Sequence, residues 1–330
     1  AGGSVQLIRG ERFILDADLG DDDGTNERVG ITYKDLPGDV KPGNMLLLDD
    51  GRVELEVVEV KGNEIHCTVG YTCELSDNKG INLKGGGLSA PALTEKDKED
   101  IKVAAELEVD YVELSFARSA DDVHLCRDYV RKAGSDAGIV TKVERADAIT
   151  NIDEIIEASD VIMVARGDLG VELGDAELPA IQKSMIKKSR SLNTVVITAT
   201  QMMESMIMNA RPTRAEVGDV ANAALSGSDA VMLSAETAAG KYPIKTVKMM
   251  DKILREIEGH QWSTGKFGDD LGSASERPSS RRAIAHAANT LAHELRLQGI
   301  IVPTRSGHTA AVLSASRPAS PLLGVSANIE

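Results

Sequence analysis

The chain has 330 residues, more than one hydrophobic core usually organises, so two or three domains are expected. It is 42% hydrophobic and 27% charged but only 3% aromatic, which leaves aliphatic side chains and alanine to fill the core. A formal net charge of -15 argues against nucleic acid, and no apolar run reaches membrane-spanning length. Phosphate ligands stay open, because a few placed cations and a metal suffice locally.

Residues 1–88 read as β structure. Val5-Gln6-Leu7-Ile8, Arg12 to Leu15 and Met45 to Leu48 are short strand candidates. Asp49-Asp50-Gly51 is a turn, Val53 to Val57 alternates apolar and polar residues, Lys61-Gly62-Asn63 is a second turn, and Ile65 to Val69 follows. This predicts a small antiparallel barrel or sandwich. Lys84-Gly85-Gly86-Gly87 closes it as a hinge. Cys67, Cys73 and Cys126 form no framework, which fits a reducing, cytoplasmic setting; they read as small buried hydrophobes.

From Pro91 the character changes. Thr94 caps a helix with Asp97 in its first turn. Strands then alternate with helices: Tyr111 to Phe116, Gly138 to Glu144, Asp160 to Val164, Thr194 to Thr198 and Asp229 to Leu233. Thr213-Arg214-Ala215-Glu216 is a capping box. Repeated βα units mean a parallel sheet, and each strand ends in polar residues: Ser115 and Arg118, Lys142 and Glu144, Arg166 and Asp168, Thr198 and Thr200, Ser234 and Glu236. A (β/α)8 barrel collects its chemistry in this way, whereas a dinucleotide-binding sheet concentrates it in one glycine-rich turn, absent here. Five strands alone would leave bare edges, so the remaining barrel strands are expected to precede residue 1. Residues 259–280 read as a linker. A helix over 280–294, a strand over 299–302, a helix over 306–316 and a strand over 322–325 then read as the start of an α/β C-terminal domain.

The chemistry centres on Lys142 and Glu144. Two apart on a strand, they share a face. Lys offers a point charge to a phosphoryl oxygen and Glu a hard oxygen ligand to Mg2+, although alone the pair reads as an ordinary ion pair. Asp168, ending the next strand in Arg166-Gly167-Asp168-Leu169-Gly170, adds the second carboxylate that Mg2+ sites use. Thr200 offers a hydroxyl for phosphate or a proton, its alternative being a helix cap. Met202, Met203, Met206 and Met208 read as a helix start used for packing. Ala235 to Tyr242 mimics a phosphate-binding loop, but its first glycine is replaced by Ala235, so it is rejected.

These segments together resemble the pyruvate kinase family in its bacterial form. The residues are Ile139 to Asp147, Met163 to Glu172, Ile197 to Met202, Arg211 to Glu216 and Asp229 to Thr237, in family order along nearly the whole chain. The resemblance implies a partial TIM barrel over 89–258. A small all-β domain over 1–88 would be inserted in it and close over the site, and residues 259–330 would hold the linker and partial C-terminal domain. It implies phosphoryl transfer from phosphoenolpyruvate to ADP, giving pyruvate and ATP, the last step of glycolysis. Lys142 would stabilise the transferring group and Glu144 and Asp168 would bind Mg2+ (or Mn2+). Gly167, Asp168 and Thr200 would contact phosphoenolpyruvate, Lys79 would reach the nucleotide, and Ser234 would lie near the proton relay. K+ is expected, with ligands in the absent first strands together with a substrate arginine. A homotetramer is expected of the full-length protein, and the 330 residues alone are expected to be an inactive fragment. A Mg2+-dependent lyase acting on 2-oxo acids is the alternative enzyme; it would need neither ADP nor a closing domain.

Overall fold

The structure is a computed structural model describing residues 3–20, 23–264 and 280–327. The chain falls into two compact units: Ala1–Ala158 with Ala165–Ala180, and Ser159–Val164 with Ile181–Glu330.

The first unit opens with strands β1 (Ser4–Leu7), β2 (Arg12–Asp16), β3 (Arg28–Gly30), β4 (Met45–Leu48), β5 (Val53–Lys61), β6 (Glu64–Val69), β7 (Cys73–Ser76) and β8 (Ile81–Leu83). Six form a sheet in the order β3-β2-β6-β5-β4-β8, while β1 pairs with β7. The pairing is antiparallel as expected, with one exception: β2 and β3 run parallel. The long connection between those two strands permits this, since a tight hairpin would force them antiparallel. Phe13, Leu15, Leu46, Leu55 and Ile65 are fully buried and form the centre of this core. In β5, Val53, Leu55 and Val57 point inward with the predicted period of two. A bulge between Val57 and Glu59 then shifts the register and leaves Val58 52% exposed.

The predicted breaks use left-handed backbone, with Gly62 of the second turn at φ 59. Asp49, Asp50 and Gly51 lie at φ 51, 55 and 80, and Gly85, Gly86 and Gly87 at φ 87, 79 and 100. Gly86 is also tightly packed: a Cβ there would stand 3.1 Å from Asp147 Oδ1 and 3.3 Å from the Ala146 Cβ, so these neighbours would have to give way slightly. On either side, the Gly85 N–H donates to the Glu172 carbonyl (3.0 Å) and the Gly87 N–H to Asp147 Oδ2 (3.3 Å).

The same unit continues with the helix Glu95–Glu106, whose Thr94 and Asp97 cap each other reciprocally. β9 (Tyr111–Leu114), the helix Ala120–Lys132 and β10 (Gly138–Val143) follow, and β10 lies parallel to β9 with Val140 opposite Glu113. Strand β11 (Val161–Ala165), whose residues 161–164 belong to the second unit, leads in the chain directly into the helix Arg166–Leu173 of the first.

In the second unit, β12 (Val195–Ala199) pairs in parallel with β13 (Ala230–Val231). The intervening helix Arg214–Ser226 starts in the predicted capping box and stops at Gly227, left-handed at φ 96. Strand–helix alternation with parallel pairs is the pattern of a partial (β/α)8 barrel. Met202, Met203 and Met206 pack with Val220, Ala223, Met250 and Ile253, as expected of packing methionines. Met208 does not, being 58% exposed, and the segment is a loop followed by the 3-10 turn Glu204–Ile207 instead of a helix start. The helix Pro243–Thr264 runs into the stretch read as linker; residues 265–279 lie outside the described residues. Beyond them stand the helix Ser280–Glu294, β14 (Ile300–Pro303), the helix His308–Ala315 and β15 (Leu322–Val325), with β14 and β15 parallel. Among the described residues no helix is long and apolar enough to cross a membrane.

Candidate active site

Strand β10 carries Lys142, and Glu144 follows one residue after the strand ends. The alternation of β structure brings them to one side, and Lys142 Nζ stands 3.0 Å from Glu144 Oε2. Glu144 is wholly buried. Its Oε1 accepts the Phe116 N–H at 2.8 Å, whereas no donor is aligned for a hydrogen bond on Oε2. Phe116 follows β9 at φ 57, the left-handed geometry that turns its N–H toward the carboxylate. Lys142 Nζ also lies 3.3 Å from Ser115 Oγ and 3.7 Å from Glu113 Oε1.

Asp168 sits in the first turn of the helix Arg166–Leu173. This corrects the reading of Arg166 to Gly170 as a strand extension. The helix begins as soon as β11 ends, and an acidic side chain in its first turn suits the helix dipole. Gly167 precedes Asp168 in the same turn.

The electrostatics explain why these groups belong together. Burial pushes the Glu144 carboxyl above its ordinary range; Lys142 opposes this and Asp168 adds to it. Burial likewise raises the Asp168 carboxyl, and the Asp50 carboxylate adds, against opposition from Lys142 and a hydrogen bond from Asn82. For Lys142, burial alone would lower the ammonium, but Glu144, Glu113 and Asp168 outweigh it and hold it above its ordinary value. One ammonium therefore serves several carboxylates, and buried Glu144 and partly buried Asp168 stay short of positive charge.

Among the described residues, no cluster of three or more His, Cys, Asp or Glu side chains is arranged to hold a metal. Glu144 and Asp168 nevertheless fit a divalent ion that takes one or two protein carboxylates and fills its other positions with water and substrate oxygens. The Glu144 oxygen without an aligned donor, and the raised carboxyls, are what such an ion would relieve.

Lys79 Nζ pairs with Asp49 Oδ1 at 2.7 Å. In the second unit, Thr200 and Gln201 are successive left-handed residues at φ 67 and 52, so Thr200 is no helix cap. Ser234 is exposed, and its N–H donates to Glu236 Oε2 (2.8 Å). The false phosphate loop is the short helix Ala235–Ala238 and a turn. Gly240 is explained by packing, because a Cβ there would collide with the Glu236 carbonyl.

Sequence reasoning passed over two groups of the first unit. Asn82 of β8 is buried and acts to lower the carboxyls of both Asp168 and Glu172. Glu172, also buried, accepts the Ala146 N–H at 2.7 Å. The available signal was a polar residue beside Leu83 in an otherwise apolar strand.

Comparison with known proteins follows the same residues. A family model described as the pyruvate kinase barrel domain matches residues 1–247, and one described as the pyruvate kinase alpha/beta domain matches residues 282–330. Pyruvate kinase II of Salmonella typhimurium is 52% identical over 331 residues, covering 98% of this chain and 68% of its own length. A pyruvate kinase of Haemophilus influenzae is 49% identical over 334 residues, covering 99% and 69%. The crystal structure of a pyruvate kinase from Cryptosporidium parvum superposes with a TM-score of 0.87 at 34% identity, covering 99% of this chain and 68% of that one. With family models spanning both ends and close relatives along almost every residue, the chain belongs to the pyruvate kinase family.

Proposed function

We propose that Lys142, Glu144 and Asp168 are the phosphoryl-transfer centre of this chain, acting as Lys on the transferring group and carboxylates on Mg2+ (or Mn2+). The family's reaction, and this chain's, is the phosphotransferase step of glycolysis: phosphoenolpyruvate and ADP give pyruvate and ATP. The observation that carries the assignment is the pairing of half-buried Lys142 with wholly buried Glu144 at 3.0 Å, with Asp168 acting on the same ammonium.

Phosphoryl transfer asks for positioning and charge stabilisation more than covalent chemistry. In this reading Lys142 neutralises charge that builds on the transferring group. Ser115 and Glu113 keep its ammonium at the mouth of the strand pair. Glu144 is fixed by the Phe116 N–H so that its second oxygen faces outward from that bond. When bound, the divalent ion would supply Lewis-acid stabilisation of substrate oxygens, held by Glu144 and Asp168. Gly167 and Asp168 contact phosphoenolpyruvate, which suits the N-terminal turn of a helix, where an anion is favoured. Thr200 contacts the same substrate and Ser234 serves the proton relay; both rest on the family motif. Lys79 binds the nucleotide. K+ dependence, a homotetramer and a cytoplasmic location are proposed on the same basis. So are a lid over 1–88, a barrel part over 89–258 and a linker with C-terminal domain from 259. The lyase alternative finds no support in the family match.

The test is made on the full-length protein. Lys142→Met should lower kcat by roughly 10²–10³ while Mn2+ binding persists. Glu144→Gln and Asp168→Asn should instead weaken Mn2+ binding. Turnover near wild type in Lys142→Met would sink the assignment.

A further inference from the structure

We propose that Asp39 is a positioning residue: by gripping Ser89 across the glycine hinge it holds the β module (residues 1–88) at one angle to the β9–β10 strand pair, and so sets where Lys79 meets the nucleotide. The inference rests on reading residues 1–88 as a module that brings Lys79 to ADP. Asp39 ends the short helix Leu36–Asp39, before the hinge, and Ser89 lies two residues beyond Gly87. The Ser89 hydroxyl donates to Asp39 Oδ1 at 2.8 Å and the Ser89 N–H to Asp39 Oδ2 at 2.8 Å. The Tyr33 hydroxyl donates to the same Oδ2 at 2.7 Å and stands 2.9 Å from Ser89 Oγ. Burial would raise the Asp39 carboxyl, but these bonds and the Arg145 charge outweigh it and hold it below the ordinary aspartate range. It is therefore an anion at neutral pH, with acceptor sites for all three donors.

The same two-residue link is gripped from the other side. The Leu88 side chain packs against the β core, as does Tyr33, while the Leu88 carbonyl accepts from Arg145 Nη2. The Ser89 carbonyl accepts from Arg118 Nη1 at 3.4 Å. Arg118 lies just beyond β9, and Arg145 just beyond β10. Leu88 and Ser89 thus give side chains and an N–H to the β module and both carbonyls to residues at the strand ends. The hinge before them is anchored to the same side, through the Gly85 bond to Glu172 and the Gly87 bond to Asp147. Glycine backbone itself resists rotation little, so the angle is set by such bonds. Asp39 is the carboxylate by which the β module takes hold of the chain beyond its hinge. Apparent affinity falls in proportion to the fraction of molecules in the competent arrangement, so a loosened grip is read as a higher KM for ADP.

The test is made on the full-length protein with Asp39→Ala, Ser89→Ala, the double variant and Lys79→Met. It measures KM for each substrate and the rate of tryptic cleavage after Lys84, an exposed residue next to the hinge. Asp39→Ala should raise KM for ADP about fivefold and speed cleavage, with KM for phosphoenolpyruvate within about twofold of wild type. Ser89→Ala should act in the same direction, and adding it to Asp39→Ala should cost nothing further, because one contact is lost only once. A merely structural role would lower Tm and move both Michaelis constants together, which overturns the proposal. So would effects of the two substitutions that multiply. Should Asp39→Ala fail to fold, Asp39→Asn takes its place: its amide has one acceptor oxygen for three donors, and the same rise in KM for ADP is expected. Raised KM for ADP in Lys79→Met, beside wild-type values in the folded Asp39 variants, overturns the role of Asp39 alone. Wild-type KM for ADP in Lys79→Met overturns the reading of the module and this proposal with it.

Discussion

The Phe116 N–H reaches Glu144 Oε1 at 2.8 Å from a backbone held at φ 57, a conformation that non-glycine residues rarely adopt. The left-handed region costs an ordinary residue on the order of 1–2 kcal/mol. The bond to a buried carboxylate offsets that cost. Because the Phe116 side chain is 45% exposed, Phe116→Gly sacrifices little burial and relieves the strain. Its stability should stay within about 1 kcal/mol of wild type, with activity largely kept. Phe116→Val, branched at Cβ, should be the less stable and less active variant. Urea unfolding with parallel rate assays decides; equal behaviour of the two would show that the backbone angle does not hold the bond.

Glu236 is buried and uses both carboxylate oxygens. Oε1 accepts the Met203 N–H at 3.1 Å and Oε2 the Ser234 N–H at 2.8 Å. An amide has only one acceptor oxygen, so Glu236→Gln must leave one N–H facing an NH2 group. We expect a loss of about 1–3 kcal/mol, seen as a fall in Tm, despite the near-identical shape. An unchanged Tm would mean that the loop rearranges to satisfy both groups.

Glu216 offers a pH signature. Burial would raise its carboxyl, but hydrogen bonds from the Ser205 hydroxyl and N–H (2.6 Å) and from Thr213 (N–H at 2.7 Å) outweigh that and hold it below the ordinary glutamate range. A depressed carboxyl contributes stability above its unfolded pKa, lost as pH falls through the folded value. Glu216→Ala should therefore cost about 1–2 kcal/mol at neutral pH, and the deficit should shrink as pH drops through and below the glutamate range. Thermal unfolding of both proteins from pH 7 to 3 measures this; a constant gap would assign the effect to packing.

Lys79 pairs with Asp49 at 2.7 Å, and its side chain is 33% exposed. An accessible ion pair of this kind contributes less than about 1 kcal/mol. Lys79→Met should leave Tm nearly unchanged while raising KM for ADP and sparing KM for phosphoenolpyruvate. Equal changes in both Michaelis constants would remove Lys79 from the nucleotide site.

Much of this was legible in the sequence. The Thr94–Asp97 and Thr213–Glu216 caps declare themselves because capping is local chemistry. The Lys142–Glu144 pair follows from a strand period of two. The parallel β2–β3 pair was not legible, since it depends on how a long connection returns. The helix over Asp168 is hidden because Gly167 and Gly170 are poor helix formers next to an apolar strand, so the segment reads as the strand's end. Glu172 gives no such signal, because its partner Ala146 lies far away in sequence. Met208 was misread because three neighbouring methionines are buried, while it lies beyond the 3-10 turn that packs them.

The bulge in β5 also sets where the chain can be shortened. Before it, inward and outward residues alternate through Val57; after it, Val60 returns to the core and Glu59 faces out. Val58 is the surplus residue. Deleting Val58 would leave a regular strand with every remaining side chain on its present face. Deleting Glu54 or Glu56 would shift the residues on one side of the gap to the opposite face. Tolerance to single-residue deletion in this strand is therefore expected to peak at Val58, a position that substitution scanning would rate as unremarkable surface.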